Sequence, residues 1–201
     1  MHEFFVATIV EGHGEVRAFP ALLHRLAAHI APGTRLKVLD PIRRFRDKII
    51  KDGELERDVH DAAIQLAAEG AMDKGCLLVL LDADDDCAAT LGPSLRKRAN
   101  AARPDLKVEV VFAVREFEPW ILASSKTLDD ESLLTHAYSP EPGVEAIRDA
   151  KGMLKERLPG GRYSPTIDQV RLAKKVNVEE ACQAPSFRRL YGKLTQLLLA
   201  S

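Results

Sequence analysis

The sequence predicts an α/β protein, with a mostly parallel central sheet flanked by helices and a C-terminal helical extension. Three observations predict it. Apolar, β-branched runs at 4–10 (FFVATIV), 76–81 (CLLVLL) and 107–114 (KVEVVFAV) read as buried strands. Segments of helical period alternate with them, which is the order of a parallel sheet with right-handed crossovers. From residue 129 onward helical patterns follow one another with no evident strand. The expected division is therefore an α/β core over 1–128 and a helical extension packed on it over 129–201.

Each element has a local reason. The first strand ends in Glu-Gly-His-Gly-Glu, and an amphipathic helix follows from about Val16 to Ile30. Leu22, Leu23, Leu26 and Ala27 form its apolar face, and Ala31-Pro32-Gly33 stops it. Residues 35–40 (RLKVLD) suit a second strand, and 41–51 read as basic and irregular. A second helix spans roughly Glu54 to Glu69 and closes at Gly70. The continuously apolar 76–81 is the mark of a central strand covered on both faces. A helix from about Ala88 to Ala102 follows, with Gly92-Pro93 as a potential interruption. Beyond the strand at 107–114 come Arg-Glu-Phe-Glu-Pro-Trp and a further apolar stretch, then helical patterns at 144–157, 166–175 and 186–199.

Composition narrows the chemistry. The 201 residues are 46% apolar and 29% charged, with a formal net charge of -1. Such a chain builds one sizeable core, and any nucleic-acid contact must rest on local patches rather than on overall charge. Three cysteines (Cys76, Cys87, Cys182) without a CxxC pair, and six histidines without HxH or HExxH, speak against a disulfide framework and against zinc. The first apolar run is too short for a signal sequence and lacks a basic lead, and no run reaches bilayer length. A cytoplasmic location without membrane association is the expectation.

The informative feature is where the acids fall. Glu11 follows the first strand, Asp82 and Asp84 the central one, and Glu116 and Glu118 the last. Open parallel sheets bind ligands beyond the carboxyl ends of their strands. Two carboxylates about 4 Å apart repel by on the order of 4 kcal/mol at an effective dielectric of 20. Such a group needs protons, solvent or a cation, and all-oxygen donors select Mg²⁺ or Mn²⁺. Each acid also has a plainer reading. Glu11 to Glu15 suits a strand-to-helix turn with an acid at the helix start. The aspartates through Asp86 suit a helix cap, although four in five residues exceed what a cap needs. Glu116 and Glu118, alternating about Phe117, suit the solvent face of a continuing strand.

The basic run PIRRFRDKIIK offers Arg44, Arg46 and Lys48 as phosphate contacts beside these acids, against the alternative of a solvated face. Arg96, Lys97, Arg98 and Arg103 read as helix surface. Arg188 and Arg189 either extend a nucleic-acid groove or solubilise the last helix. Trp120, inside an apolar run, reads as core rather than as a base-stacking residue. His13 reads as a turn residue, and Cys87 as a packing residue.

An apolar strand followed by EGxxE, then LLDAD, then an acidic strand end resembles a Toprim (topoisomerase–primase) domain. Glu11 matches the Toprim glutamate, and Asp82 and Asp84 match its DxD. IVEGHGE, LLDADDDC, REFEPWILAS and the tail APSFRRL resemble, more closely, the Toprim-related domain-of-unknown-function 4276 family, over most of the chain. OLD-type (overcoming lysogenization defect) nucleases are more distantly similar. The resemblance implies a Toprim-like sheet and one or two Mg²⁺ or Mn²⁺ ions held by Glu11, Glu15, Asp82, Asp84 and Asp86, with Glu116 or Glu118 completing the set. It implies catalytic roles for Glu11, Asp82 and Asp84. It also implies a nucleic-acid substrate, a setting in phage defence, and a separate ATPase partner, since no ATPase is fused to this sequence. The competing readings are a metal-dependent nuclease, a non-catalytic metal- or nucleic-acid-binding module serving such an ATPase, and an aspartate phosphatase using Asp82 as nucleophile. The last wants DxDx(T/V) after the first strand, whereas here the strand is a later one and Asp86 stands at the Thr/Val position.

Overall fold

The computed structural model describes residues 2–84, 87–138 and 143–200. Its frame is a five-stranded parallel sheet in the order β2-β1-β4-β5, with a short β3 also paired to β1. The strands are β1 (His2–Val10), β2 (Thr34–Val38), β3 (Ile42–Arg43), β4 (Gly75–Asp82) and β5 (Val108–Ala113). The apolar runs form the centre because a strand neighboured on both edges and both faces has no surface to give to water. Residues 4–7 of β1 and 76–81 of β4 are buried throughout.

Alternation along the strands divides the core in two. One face, with Phe4, Val6, Val10, Leu78, Leu80, Val111 and Ala113, packs on α1 (Glu15–Ile30) and on helices of the C-terminal region. The other, with Phe5, Ile9, Leu77, Val79, Leu81, Val110 and Phe112, packs on α3 (Glu54–Ala68) and α4 (Ala88–Ala102). The apolar stripe expected on α1 is the buried one, joined by Ala18 and Phe19. Helix α4 runs through Gly92-Pro93 without a break.

Two stretches differ from the sequence reading. The run at 41–51 is ordered: β2 stops at Val38, opposite Val6, and the exposed edge of β1 at Ile9 and Val10 is taken over by Ile42 and Arg43. The chain then makes the single turn α2 (Arg46–Ile49). A pairing of two residues is too short to leave a period in the sequence. Second, the acidic segment after β5 does not continue as a strand. Pro119 near its start suits a helix N-terminus, and the chain folds into α5 (Glu118–Ala123) and α6 (Ser125–Asp130).

The C-terminal region holds α7 (Ala150–Arg157), a π-turn at Pro165–Gln169, α8 (Val170–Ala173), α9 (Val178–Ala181) and α10 (Pro185–Leu199). Phe187, Leu190, Leu194 and Leu198 make the buried stripe of α10. Trp120 is fully buried and lies edge-on to Phe187, with ring centroids 5.6 Å apart. Its Nε1 donates to Ser186 Oγ at 2.7 Å, and that hydroxyl in turn donates to Glu145 Oε1. The indole thus ties the segment carrying Glu118 to the last helix. Trp120→Phe removes this donor, leaves the Ser186 hydroxyl only its bond to Glu145, and underfills the space of the indole. The expected loss is about 1–3 kcal/mol, read from the urea midpoint at unchanged slope.

Candidate metal centre at the carboxyl edge of the sheet

Register brings the acids together. Val10 of β1 is paired with Leu80 of β4, and Leu80 with Val111 of β5, so the three strands end at nearly one level. Glu11 leaves β1, Asp82 closes β4, and Glu118 opens α5 just past β5. These three share a cavity of about 330 Å³ with Glu15, Asp84, Lys151 and the turn residues Pro165, Thr166 and Gln169. Glu116 borders it through Lys151, whose Nζ donates to Glu116 Oε1 at 2.8 Å and lies 3.9 Å from Glu118 Oε2. Asp86 lies outside the described residues.

The backbone at this edge is strained. Asp84 (φ 48°) and Arg115 (φ 64°) both adopt the left-handed region, and the Asp84 amide donates to the Arg115 carbonyl. Asp enters that region at small cost, whereas Arg does so rarely. The turn after β1 depends on Gly14. A Cβ there would lie 2.2 Å from Gln169 Oε1 and 2.7 Å from the Pro165 carbonyl oxygen, so the π-turn can close over the cavity only against glycine.

Burial of the acids outruns their supply of donors. Glu15 is 4% exposed, and its Oε2 accepts from the amides of Glu11 and Gly12 at 3.2 and 3.1 Å. Desolvation outweighs those amides, Glu118 and Glu11 add repulsion, and Glu15 is pushed up to about 7. Glu118 has no exposed surface; Tyr163 and Gln169 donate to its Oε1. Its pKa is raised by burial against the opposing pull of Lys151 and Tyr163. Burial and then the charges of Glu15 and Glu118 raise Asp82 well above the usual carboxylate range. Glu11 is also raised, by burial first, against the backbone of Arg46. Four buried carboxylate oxygens have no hydrogen-bond partner among the described residues: Glu11 Oε2, Asp82 Oδ1, Glu116 Oε2 and Glu118 Oε2.

These oxygens fit a hard divalent ion in kind. The donor set is all carboxylate, each orphaned oxygen is buried, and burial, with repulsion between the acids added, disfavours their charged forms. In arrangement the set is open: among the described residues no three His, Cys, Asp or Glu side chains stand ready around one point. An ion would have to draw them in.

Of the three cations expected beside the acids, only Arg46 reaches them. Its Nη1 donates to the Ala83 carbonyl at 3.1 Å and stands 3.8 Å from Asp84 Oδ2. Arg44 is turned inward instead. Its Nε and Nη2 grip both oxygens of the fully buried Asp58 at 2.9 and 2.6 Å, because a buried carboxylate without such a fork would be prohibitively costly. Lys48 is exposed on the same turn. Glu118, read from the sequence as a solvent-facing alternative, is among the most deeply buried of the acids.

Lys151, Tyr163 and Gln169 had no signal in the sequence. They come from the C-terminal region, where nothing in linear order connects them to the acids. The one local cue is Asp149, which caps α7 by accepting from the Gly152 amide at 2.7 Å and so places Lys151 in the first turn. A larger cavity of about 690 Å³ lies elsewhere, floored by Val110 and Phe112 and rimmed by Arg96, Lys97, Arg189 and Lys193. It is mainly apolar and gathers no cluster of acids, so the smaller one is the candidate metal centre.

Fold and site together define an α/β protein with an acidic cavity where its parallel strands end. The chain belongs to the family described as Domain of unknown function (DUF4276), which it matches over residues 10–195. Among solved structures, the C-terminal region of the Burkholderia pseudomallei OLD protein is similar at 17% identity and a TM-score of 0.43, over 94% of this chain and 96% of that one. No curated protein matches the chain. Among the described residues no helix is long and apolar enough to cross a membrane.

Two outcomes test this geometry. Glu15 binds its proton more tightly folded than unfolded, so its contribution is complete below about 4.5 and is lost as pH rises to about 7. At about 1.4 kcal/mol per unit, the metal-free protein should lose up to ~3 kcal/mol over that window, and Glu15→Gln should flatten that part of the profile in urea titrations. Gly14→Ala should cost about 1–3 kcal/mol by overpacking the π-turn, while Gly33→Ala, whose Cβ meets nothing within 4 Å, should change stability by less than about 0.5 kcal/mol.

Proposed function

We propose that this protein is a divalent-metal-dependent phosphoryl-transfer enzyme, a nuclease that cleaves phosphodiester bonds of nucleic acid. The observation that carries the reading is the convergence of three carboxylates, Glu11, Asp82 and Glu118, each with an unpartnered buried oxygen, on one cavity where the strands end, with Glu116 at its border. A protein keeps such an arrangement against its folding stability when the charge is to be matched by a ligand. Glu11, Asp82 and Asp84 are assigned the catalytic and metal-holding roles, with Glu15, Glu116 and Glu118 completing the donor set. Bound Mg²⁺ or Mn²⁺, as one ion or two, supplies the charge that lets a phosphodiester approach and polarises the reacting oxygens.

The chain's own groups account for the rest. Glu15 accepts the Glu11 and Gly12 amides and so fixes the turn that presents the Glu11 carboxylate. Lys151 holds Glu116; burial opposes its charge, but Glu118 and Glu116 more than offset this and keep it protonated. It is the cation of the cavity lining, suited to meet a phosphate oxygen. Arg46, fixed on the Ala83 carbonyl, stands at the opposite rim beside Asp84. Glu11, part-buried with a raised pKa, is suited to take a proton from the attacking group.

A second reading has its own support. The acids are not drawn together as they stand, and the net charge is -1, which suits a non-catalytic module that binds metal or nucleic acid and serves a separate ATPase. Calorimetric titration with Mn²⁺ and Mg²⁺, followed by cleavage assays on single- and double-stranded substrates, separates the two. The nuclease reading expects wild type to bind the ion and cleave. It expects Asp82→Asn and Glu11→Gln to lose cleavage by at least a hundredfold while remaining as stable as the metal-free wild type or slightly more so, through relieved repulsion. Ion binding without cleavage would support the module, and unfolding of both variants would make the acids structural.

A further inference from the structure

The structure assigns to Phe45 the role of a stacking platform for an unpaired base beside the acidic cavity. This makes a single-stranded nucleic acid the substrate class, and it rests on the nucleic-acid reading above. Phe45 is 55% exposed, and the Arg43 guanidinium lies against its ring, 4.5 Å from the centroid. A single exposed aromatic is unremarked on most surfaces. What marks this one is its setting.

Both neighbours of the ring are anchored to the site. Arg43 Nη1 donates to the Glu11 carbonyl at 3.4 Å, so the guanidinium bridges the Glu11 loop and the ring. The next residue, Arg46, has its backbone against the Glu11 carboxylate and its guanidinium on Ala83 beside Asp84. Phe45 itself is extended (φ -60°, ψ 138°) at the head of α2, and Lys48 is exposed on that turn. Ring and guanidiniums therefore lie within one short stretch of chain, residues 43–46, which is held by β1 and reaches Glu11 and Asp84.

That combination has a chemical meaning. Aromatic faces next to cations bind nucleic acid by stacking one base while the cations meet its phosphates, and they need no base sequence. A base can lie on Phe45 only when it is unstacked and unpaired, because a duplex buries both base faces. A phosphodiester flanking a base held there would fall at Glu11 and Asp84. Arg43 and Phe45 would then set substrate class, while the acids carry the chemistry.

Fluorescence tests the assignment. Trp120 is fully buried, so Phe45→Trp introduces the exposed indole of the protein. With Mg²⁺ and a short phosphorothioate oligothymidylate, the expected result is saturable quenching of the introduced emission. An abasic strand of equal length and a blunt duplex should leave it unquenched. In anisotropy titrations Phe45→Ala should weaken single-strand binding about tenfold, the scale of one lost base stack, and leave duplex binding unchanged. Because the side chain is exposed, loss of fold does not confuse the result. Binding without quenching, or equal affinity of Phe45→Ala and wild type, overturns the platform and leaves the acidic site as read. Quenching that grows with protein concentration alone overturns it by making Phe45 a contact between copies. Absence of any oligonucleotide binding by wild type with Mg²⁺ overturns the nucleic-acid reading, and the platform with it.

Discussion

Burying carboxylates is costly unless each receives donors, and the carboxyl edge of this sheet buries more acid than it has donors to satisfy. An unpartnered buried polar oxygen costs about 1–3 kcal/mol, and a buried ion several. Glu118, with no exposed surface, draws on Tyr163 and Gln169 for one oxygen and leaves the other to Lys151 at 3.9 Å. Glu15 takes two backbone amides. Asp82 and Glu11 each keep one buried oxygen without a partner. Much of the surrounding structure exists to contain this cost: the π-turn that carries Gln169, the cap on α7 that delivers Lys151, and the glycine that lets the π-turn approach.

The stability to carry that burden comes from elsewhere in the molecule. The central strands are covered on both faces, and the core of one face continues through α1 into the C-terminal helices. Arg44 and Asp58 show how the same chain treats a buried acid that it means to neutralise: a forked guanidinium with two close bonds. Among the described residues no such fork is built at Asp82 or Glu118. A closed ion pair on one side of β1 thus stands against an open acidic group at its end.

The sheet was legible because the strands that build it are long, apolar and bounded by helical segments, and the placement of Glu11, Asp82 and Asp84 past their ends followed directly. What escaped the sequence has physical causes. β3 is a two-residue pairing created by the early end of β2, and α5 begins where Pro119 breaks a pattern that otherwise suits a strand. Arg44 and Arg46 are two positions apart and chemically alike, yet one is consumed by Asp58 and the other reaches the site. Only the three-dimensional position of Asp58 on α3 decides which. Lys151, Tyr163 and Gln169 join the acids through tertiary packing of a region that carries no acidic motif of its own.

The positive groups are distributed unequally around the cavity, and this orders the site. On the C-terminal side Lys151 is engaged with Glu116 and held beside Glu118, so its charge is largely committed to the acids. On the β3–α2 side Arg46 donates to the Ala83 carbonyl and lies 3.8 Å from Asp84 Oδ2, while Arg43 is laid against an exposed ring. The cavity therefore has cations on two sides, Lys151 from the C-terminal region and Arg43 and Arg46 from β3 and α2. Asp84 lies open to solvent, Glu11 and Asp82 are part-buried, and Glu118 has no exposed surface. Depth of burial thus sorts the acids, and the donors supplied by Tyr163, Gln169 and the backbone amides go to the inner ones, Glu118 and Glu15, where an unmatched oxygen is most costly.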